Sequence, residues 1–107
     1  MESIWRHIFE KLKVTAKEHP ILLTDPPLNP ISNRIKTADL FFEKFGASKI
    51  FFVQQAVLSL YARGKTSGCV LDCGDGVCHV SPVYEGYSIQ NAIQRIELGG
   101  KDVTRHL

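Results

Sequence analysis

The chain has 107 residues, the length of one ordinary domain, and its 44% apolar and 22% charged content suits a modest buried core, with no disordered tract. Its formal charge of +2, with Lys11, Lys13, Lys17, Lys36, Lys44 and Lys49 scattered among acids, gives no surface for nucleic acid. No apolar run approaches a membrane span and no signal peptide opens the chain, so direct membrane insertion is not expected.

Residues 1–12 place Ile4, Trp5, Ile8, Phe9 and Leu12 on one face of an amphipathic helix that lacks a good N-cap, with Trp5 as its anchor. Lys13 to His19 is a polar connector ended by Pro20. Ile21–Thr24 is a short buried strand, stopped by Asp25–Pro26–Pro27–Leu28–Asn29–Pro30, where prolines remove ladder donors. Asn29 or Ser32 is the candidate cap of a helix from Ser32 to Phe45. Ile35, Ala38, Leu40, Phe41, Phe42 and Phe45 form its apolar side and Gly46 its stop. Lys49–Val53 is a second buried strand.

Gln54–Gln55 opens a helix through Ala56, Val57, Leu58, Leu60 and Tyr61 that closes at Arg63–Gly64. It is apolar nearly all round, which places it between layers. A strand over Thr66–Leu71 then enters the acidic, glycine-spaced stretch Asp72–Cys73–Gly74–Asp75–Gly76–Val77, and a second strand-like run leaves as Val77 to Val83. A two-residue Gly–Asp tip between apolar runs signals a hairpin. Glycine at 74 and 76 permits φ > 0 and close approach of a bulky anion, with backbone N–H groups nested around phosphate oxygens. Asp72 and Asp75 carry the charge of phosphate themselves, and suit such a site only with a divalent cation between, held through waters. An ordinary acidic turn is the alternative.

Cys69, Cys73 and Cys78 are odd in number and closely spaced, which argues against a disulfide framework and for a reducing, intracellular compartment. With His79 they do not match a zinc spacing; small buried cysteines on strands are the simpler account. Pro82–Tyr87 is a turn or edge segment, Ile89–Leu98 a further strand, and Gly99–Gly100 opens a helix inside which the chain ends. Both ends interrupt elements, so an internal piece of a longer protein is expected.

The run Gln55–Ala56–Val57–Leu58–Ser59–Leu60–Tyr61–Ala62–Arg63–Gly64, together with the hairpin, resembles actin and the actin-related proteins. Glu18–Thr24, Pro27–Pro30, Asn33–Arg34, Pro82–Tyr87 and Gly100–Thr104 extend the likeness over essentially the whole chain, in the family's order. Within the family, Phe41–Phe42–Glu43, Val70–Leu71–Asp72 and Asp102–Val103–Thr104–Arg105 look closer to the centractin branch, the actin-like filament of dynactin, than to conventional actin.

The resemblance implies an α/β, actin-like ATPase fold of the actin, heat-shock chaperone and sugar-kinase type, with ATP or ADP and Mg²⁺ (or Ca²⁺) between two lobes. Residues 1–65 would belong to the first lobe, including the hinge helix, and 66–107 to the start of the second. Asp72 matches the aspartate that holds the metal through water. Gly74, Asp75, Gly76 and Val77 match the second phosphate loop, and Gly100 a glycine beside the nucleoside. Gln55 matches the glutamine that orients the attacking water, and His79 a histidine that helps place it. ATP hydrolysis is implied for the complete protein; the isolated segment, without the first phosphate loop, is expected not to bind ATP. The implied partners are copies of itself in filaments and other cytoskeletal or dynactin-type subunits, in the cytoplasm. Cys73 departs from the family's serine at the terminal phosphate, and a thiol is a poorer donor. Cys78 replaces a threonine and Gln54 is unusual, with less consequence.

Overall fold

The computed structural model describes residues 1–107, which fold as two compact units. The first comprises Met1–Thr24 and Asn29–Phe52. It contains α1 (Glu2–Leu12), all but the last residue of β1 (Ile21–Asp25), α2 (Ile31–Asp39) and the first three residues of β2 (Ile50–Gln54), with β1 and β2 forming a two-stranded sheet. Its centre is Phe41, 1% exposed. Trp5 lies 4.8 Å from that ring and Phe45 5.5 Å, centroid to centroid, with Phe9 at 6.3 Å. Trp5 and Phe9, one helical turn apart, are the residues by which α1 anchors, while Ile4, Ile8 and Leu12 remain exposed. The buried stripe is therefore narrower than the periodicity of α1 suggests. No side chain caps α1 at its start, as expected. Glu2 instead accepts hydrogen bonds from Arg6 Nη2 (2.8 Å) and Lys44 Nζ (2.7 Å).

The expected single helix from Ser32 to Phe45 is corrected in two ways. Neither Asn29 nor Ser32 holds the cap: Pro30 is the N-cap residue with φ −56°, and Asn33 Nδ2 donates to Asn29 Oδ1 at 3.0 Å. From Leu40 to Lys44 the helix widens into a π-turn, with Phe45 N–H donating to the Leu40 carbonyl at 3.3 Å. The wider turn shifts the side-chain stripe. Phe41 and Phe45 enter the core, while Ile35 and Phe42 stay exposed. Gly46 (φ 65°) reverses the chain, and Ala47 N–H closes the end on the Phe41 carbonyl at 2.9 Å.

The second unit comprises Asp25–Leu28 and Val53–Leu107. It contains α3 (Gln55–Ala62), β3 (Gly68–Cys73), β4 (Cys78–Tyr84), β5 (Tyr87–Ser88), a 3₁₀ turn (Gln90–Ala92), β6 (Gln94–Ile96) and α4 (Gly100–His106). β4 is the central strand, antiparallel to β3, β5 and β6. Ala56, Val57 and Leu60 of α3 pack with Val83 and Val70 of the sheet. Ser59 and Tyr61 are exposed, so α3 is buried on one face rather than all round.

The second strand of the hairpin runs on through Pro82 to Tyr84, past the end expected at Val83. A two-residue turn follows, with Glu85 (φ 48°) and Gly86 (φ 80°) both left-handed, the backbone twist that suits a tight hairpin. Glu85 N–H donates to Ser67 Oγ and Gly86 N–H to the Thr66 carbonyl, each at 2.8 Å. The strand expected over Ile89–Leu98 contracts to Gln94–Ile96 because a 3₁₀ turn takes its first part. No helix is long and apolar enough to cross a membrane.

Candidate nucleotide-phosphate site

All the residues singled out from the sequence, Gln55, Asp72, Gly74 to Val77, His79 and Gly100, lie in the second unit. The β3–β4 register pairs Gly68 with Val83, Val70 with Ser81, and Asp72 with His79. Directly opposed residues of an antiparallel pair share a sheet face. Asp72 and His79 therefore lie on the face that carries Val70 and Val83, the residues packed against α3. Gln55 is the first residue of that helix, and its carbonyl accepts from Ser59 Oγ at 3.1 Å.

His79 is buried, and its Nε2 has no hydrogen-bond partner; the buried Gln54 Oε1 is likewise unpartnered. An imidazole nitrogen left unsatisfied in a buried position is costly, and a water or ligand atom would satisfy it. Asp72 and Asp75 are exposed, so their oxygens are open to solvent and to a hydrated cation.

Cys73 and Cys78 pair and Gly74 N–H donates to the Val77 carbonyl at 3.0 Å, so the two-residue tip is Asp75–Gly76, one residue beyond the Gly74–Asp75 tip expected. Neither Gly74 nor Gly76 has positive φ, which corrects the conformational argument for glycine there. Space is the remaining argument. A Cβ on Gly74 would come no closer than 3.7 Å to the Val77 oxygen, and one on Gly76 no closer than 3.5 Å to Lys101 Nζ. Both contacts are ordinary, so nothing within the chain demands glycine at either position.

The N-terminus of α4 docks on this loop. Gly100 N–H donates to the Gly74 carbonyl and Lys101 N–H to the Asp75 carbonyl, each at 2.9 Å. Gly99 N–H donates to Asp102 Oδ2 at 3.0 Å. A Cβ on Gly99 would run into the backbone of Asp75 and Gly76, 2.7 Å from the Gly76 carbonyl carbon. Sequence reasoning singled out Gly100 and missed both Gly99 and Lys101, whose ammonium lies over the loop. The only signal for them was the Gly–Gly–Lys start of a helix, which says nothing about what that helix touches.

On the other face, Cys73, Cys78, Leu98, Gly100, Val103 and Leu107 line part of a mostly apolar cavity of about 650 Å³. Cys73 and Cys78 are joined by a disulfide, with Cα atoms 4.1 Å apart. This corrects the expectation of unbridged cysteines. An odd count excludes only full pairing, and the register places these two opposite one another while Cys69 stays free.

The site can therefore offer exposed carboxylate oxygens, a short glycine loop, a lysine ammonium and a buried imidazole whose Nε2 is unpartnered. Hard oxygen ligands suit a hydrated divalent cation, and the glycines leave room for a bulky anion, so the residues present fit a metal–nucleotide group.

The family model described as actin matches residues 1–107. An "Actin-like protein" of Neurospora crassa is 51% identical over 108 residues, a match that covers 100% of this chain and 28% of the relative. The chain thus spans somewhat over a quarter of the length of that relative.

Proposed function

The chain belongs to the actin family, and from that premise we propose that it supplies the second phosphate loop and the water-orienting helix of an actin-like ATPase that assembles into filaments. The observation that carries this reading is a juxtaposition within one compact unit. The glycine loop adjoins the opposed Asp72–His79 pair, and α3, headed by Gln55, covers the same sheet face.

In this reading the loop N–H groups not already bonded within it, those of Asp75, Gly76 and Val77, donate to phosphate oxygens, and Asp75 approaches the nucleotide. Asp72 holds Mg²⁺ (or Ca²⁺) through water, and the cation neutralises charge on the phosphates. Gly100 admits the sugar or base of ATP or ADP. The Gln55 amide orients the attacking water, and His79 helps hold it through its unpartnered Nε2. Transfer of phosphate to water depends on alignment and charge stabilisation, which suits amide, imidazole and backbone donors with no nucleophile among them.

The finer assignment is to the centractin branch, on Phe41–Phe42–Glu43, Val70–Leu71–Asp72 and Asp102–Val103–Thr104–Arg105. It carries with it self-association in filaments, dynactin-type and other cytoskeletal partners, and a cytoplasmic place. Residues 1–65 then belong to the first lobe of the whole protein and 66–107 to the second, with α3 as the hinge helix. Conventional actin is the nearest alternative. A further reading, a mainly structural filament subunit with slow turnover, is favoured by one observation: bonded to Cys78, Cys73 has no S–H to offer a terminal phosphate.

Single-turnover ATP hydrolysis by the full-length protein, with and without Gln55→Ala, separates the readings. Loss of about a hundredfold in rate with ATP binding retained supports the ATPase reading. Negligible hydrolysis by the unsubstituted protein, with filaments still formed, supports the structural one. Absence of both ATP binding and assembly overturns both.

A further inference from the structure

Cys73 ends β3 and Cys78 begins β4 as direct partners in the register. The bond between them closes a ring around Gly74, Asp75, Gly76 and Val77, and the Gly74–Val77 hydrogen bond lies inside it. Cys73 is exposed and Cys78 half-buried, so a small thiol or disulfide reaches the pair from the Cys73 side. Cys69 is exposed and free. It lies four residues earlier on the same strand, about 13 Å from Cys73 at the usual strand rise, beyond the span of a disulfide. It cannot compete for Cys73 while β3 is intact.

We propose that Cys73 and Cys78 form a reversible redox clamp on the hairpin loop, closed by a low-molecular-weight disulfide and opened by the corresponding thiol, and that the clamp sets the loop's affinity for nucleotide phosphates. The effect on affinity rests on the phosphate-loop reading above; the clamp itself does not.

In the closing step the Cys73 thiol gives its proton to solvent and its thiolate attacks one sulfur of the small disulfide. That S–S bond breaks, and one small thiolate leaves and takes up a proton. The Cys78 thiolate, its proton also given to solvent, then attacks Cys73 Sγ and expels the second small thiolate, which is protonated in turn. Two protein thiols are oxidised to one disulfide, and one small disulfide is reduced to two thiols; opening is the reverse.

Closure has two consequences for the loop. The crosslink keeps the strand ends together, which suppresses local opening of the amides at 74–77. It also removes the S–H of Cys73, so the side chain at the loop's edge donates no hydrogen bond. The open form regains one weak donor and a loop free to adjust, and binds phosphate more tightly.

The test uses the full-length protein equilibrated with oxidised or with reduced glutathione, quenched in acid, alkylated, and read by peptide mass. The oxidised sample is expected to carry no alkyl group on Cys73 or Cys78 and to lack two hydrogens there. The reduced sample carries both alkyl groups, and Cys69 is alkylated in each. Hydrogen exchange at 74–77 is expected to be slower in the oxidised sample, and Mg-ATP binding about three- to tenfold tighter in the reduced one. Free thiols after oxidised glutathione, or equal exchange in the two states, overturns the clamp. A clamp that forms and slows exchange while Mg-ATP affinity stays equal overturns its control of binding. No Mg-ATP binding in either state overturns the phosphate-loop reading instead, and mass and exchange alone then decide the clamp.

Discussion

The amide of Gly100 donates to the carbonyl of Gly74 at 2.9 Å, and this bond joins the start of α4 to the first residue of the hairpin loop. The neighbouring Lys101–Asp75 bond repeats the contact one residue on. Together they engage two loop carbonyls, and Asp102 steadies the helix start by accepting the Gly99 N–H at 3.0 Å. Removing that acceptor weakens the cap and, through it, the loop. Asp102→Ala is expected to cost about 1 kcal/mol. Faster hydrogen exchange at Gly100 and Lys101 is the measurement; unchanged exchange at both would show that the cap does not brace the loop.

Phe41 is the other structural centre, the most buried large side chain of its unit, with Trp5, Phe9 and Phe45 around it. Phe41→Ala removes the ring that all three contact. The expected loss is about 3–5 kcal/mol, read as a shift in denaturant midpoint. Phe42→Ala, one residue along and 49% exposed, is expected to cost far less. Equal losses at the two positions would contradict the π-turn that sorts them.

The turn at 85–86 allows a double-mutant test. Gly86 has φ 80°, and a Cβ there would stand 2.5 Å from the Tyr61 hydroxyl oxygen. Gly86→Ala is therefore expected to destabilise by about 1–2 kcal/mol. Part of that cost is backbone strain and part is the clash. Tyr61→Phe removes the hydroxyl, so the double mutant should be less destabilised than the sum of the single changes. Strict additivity would mean that the clash contributes nothing.

Glu2 carries a pH prediction. The hydrogen bond from Lys44, and then that from Arg6, holds its carboxyl below the ordinary value of 4.5. A carboxyl depressed in the folded state contributes stability above its unfolded pKa. That contribution fades as the pH falls from about 4.5 through the lower folded value. The group is exposed, so screening keeps the effect small and salt-sensitive. Lys44→Ala is expected to move the Glu2 titration, followed by NMR, back toward 4.5. No movement would mean that the pair is not formed in solution.

Much of this arrangement was legible in the sequence, for identifiable reasons. Helix α1, both short strands, α3 and the β3–β4 hairpin carry local periodicity or turn chemistry that marks them without tertiary context. The π-turn at Leu40–Lys44 carries no such mark, because the pattern of Phe41, Phe42 and Phe45 fits a regular helix equally well. Gly99 and Lys101 were missed for a similar reason, since their importance lies in where α4 docks. Gly74 and Gly76 were singled out partly for a positive φ that neither has; what the structure shows at both is open space. The disulfide depends on a strand register that a count of cysteines does not reveal.

The open space at Gly74 and Gly76 allows the phosphate-loop reading to be tested directly. A Cβ at Gly74 or Gly76 meets only ordinary contacts within the chain, so Gly74→Ala and Gly76→Ala should leave stability within about 0.5 kcal/mol. If the loop cradles nucleotide phosphates, the same Cβ intrudes where the anion must approach. The measurement is Mg-ATP affinity of the full-length protein and of the two variants, with their denaturation midpoints recorded alongside. Unchanged midpoints and a loss of affinity of about tenfold or more, equivalent to roughly 1.4 kcal/mol, are expected. Unaltered affinity in both variants would contradict the phosphate-loop reading, and the loop would then be an acidic turn that no phosphate enters.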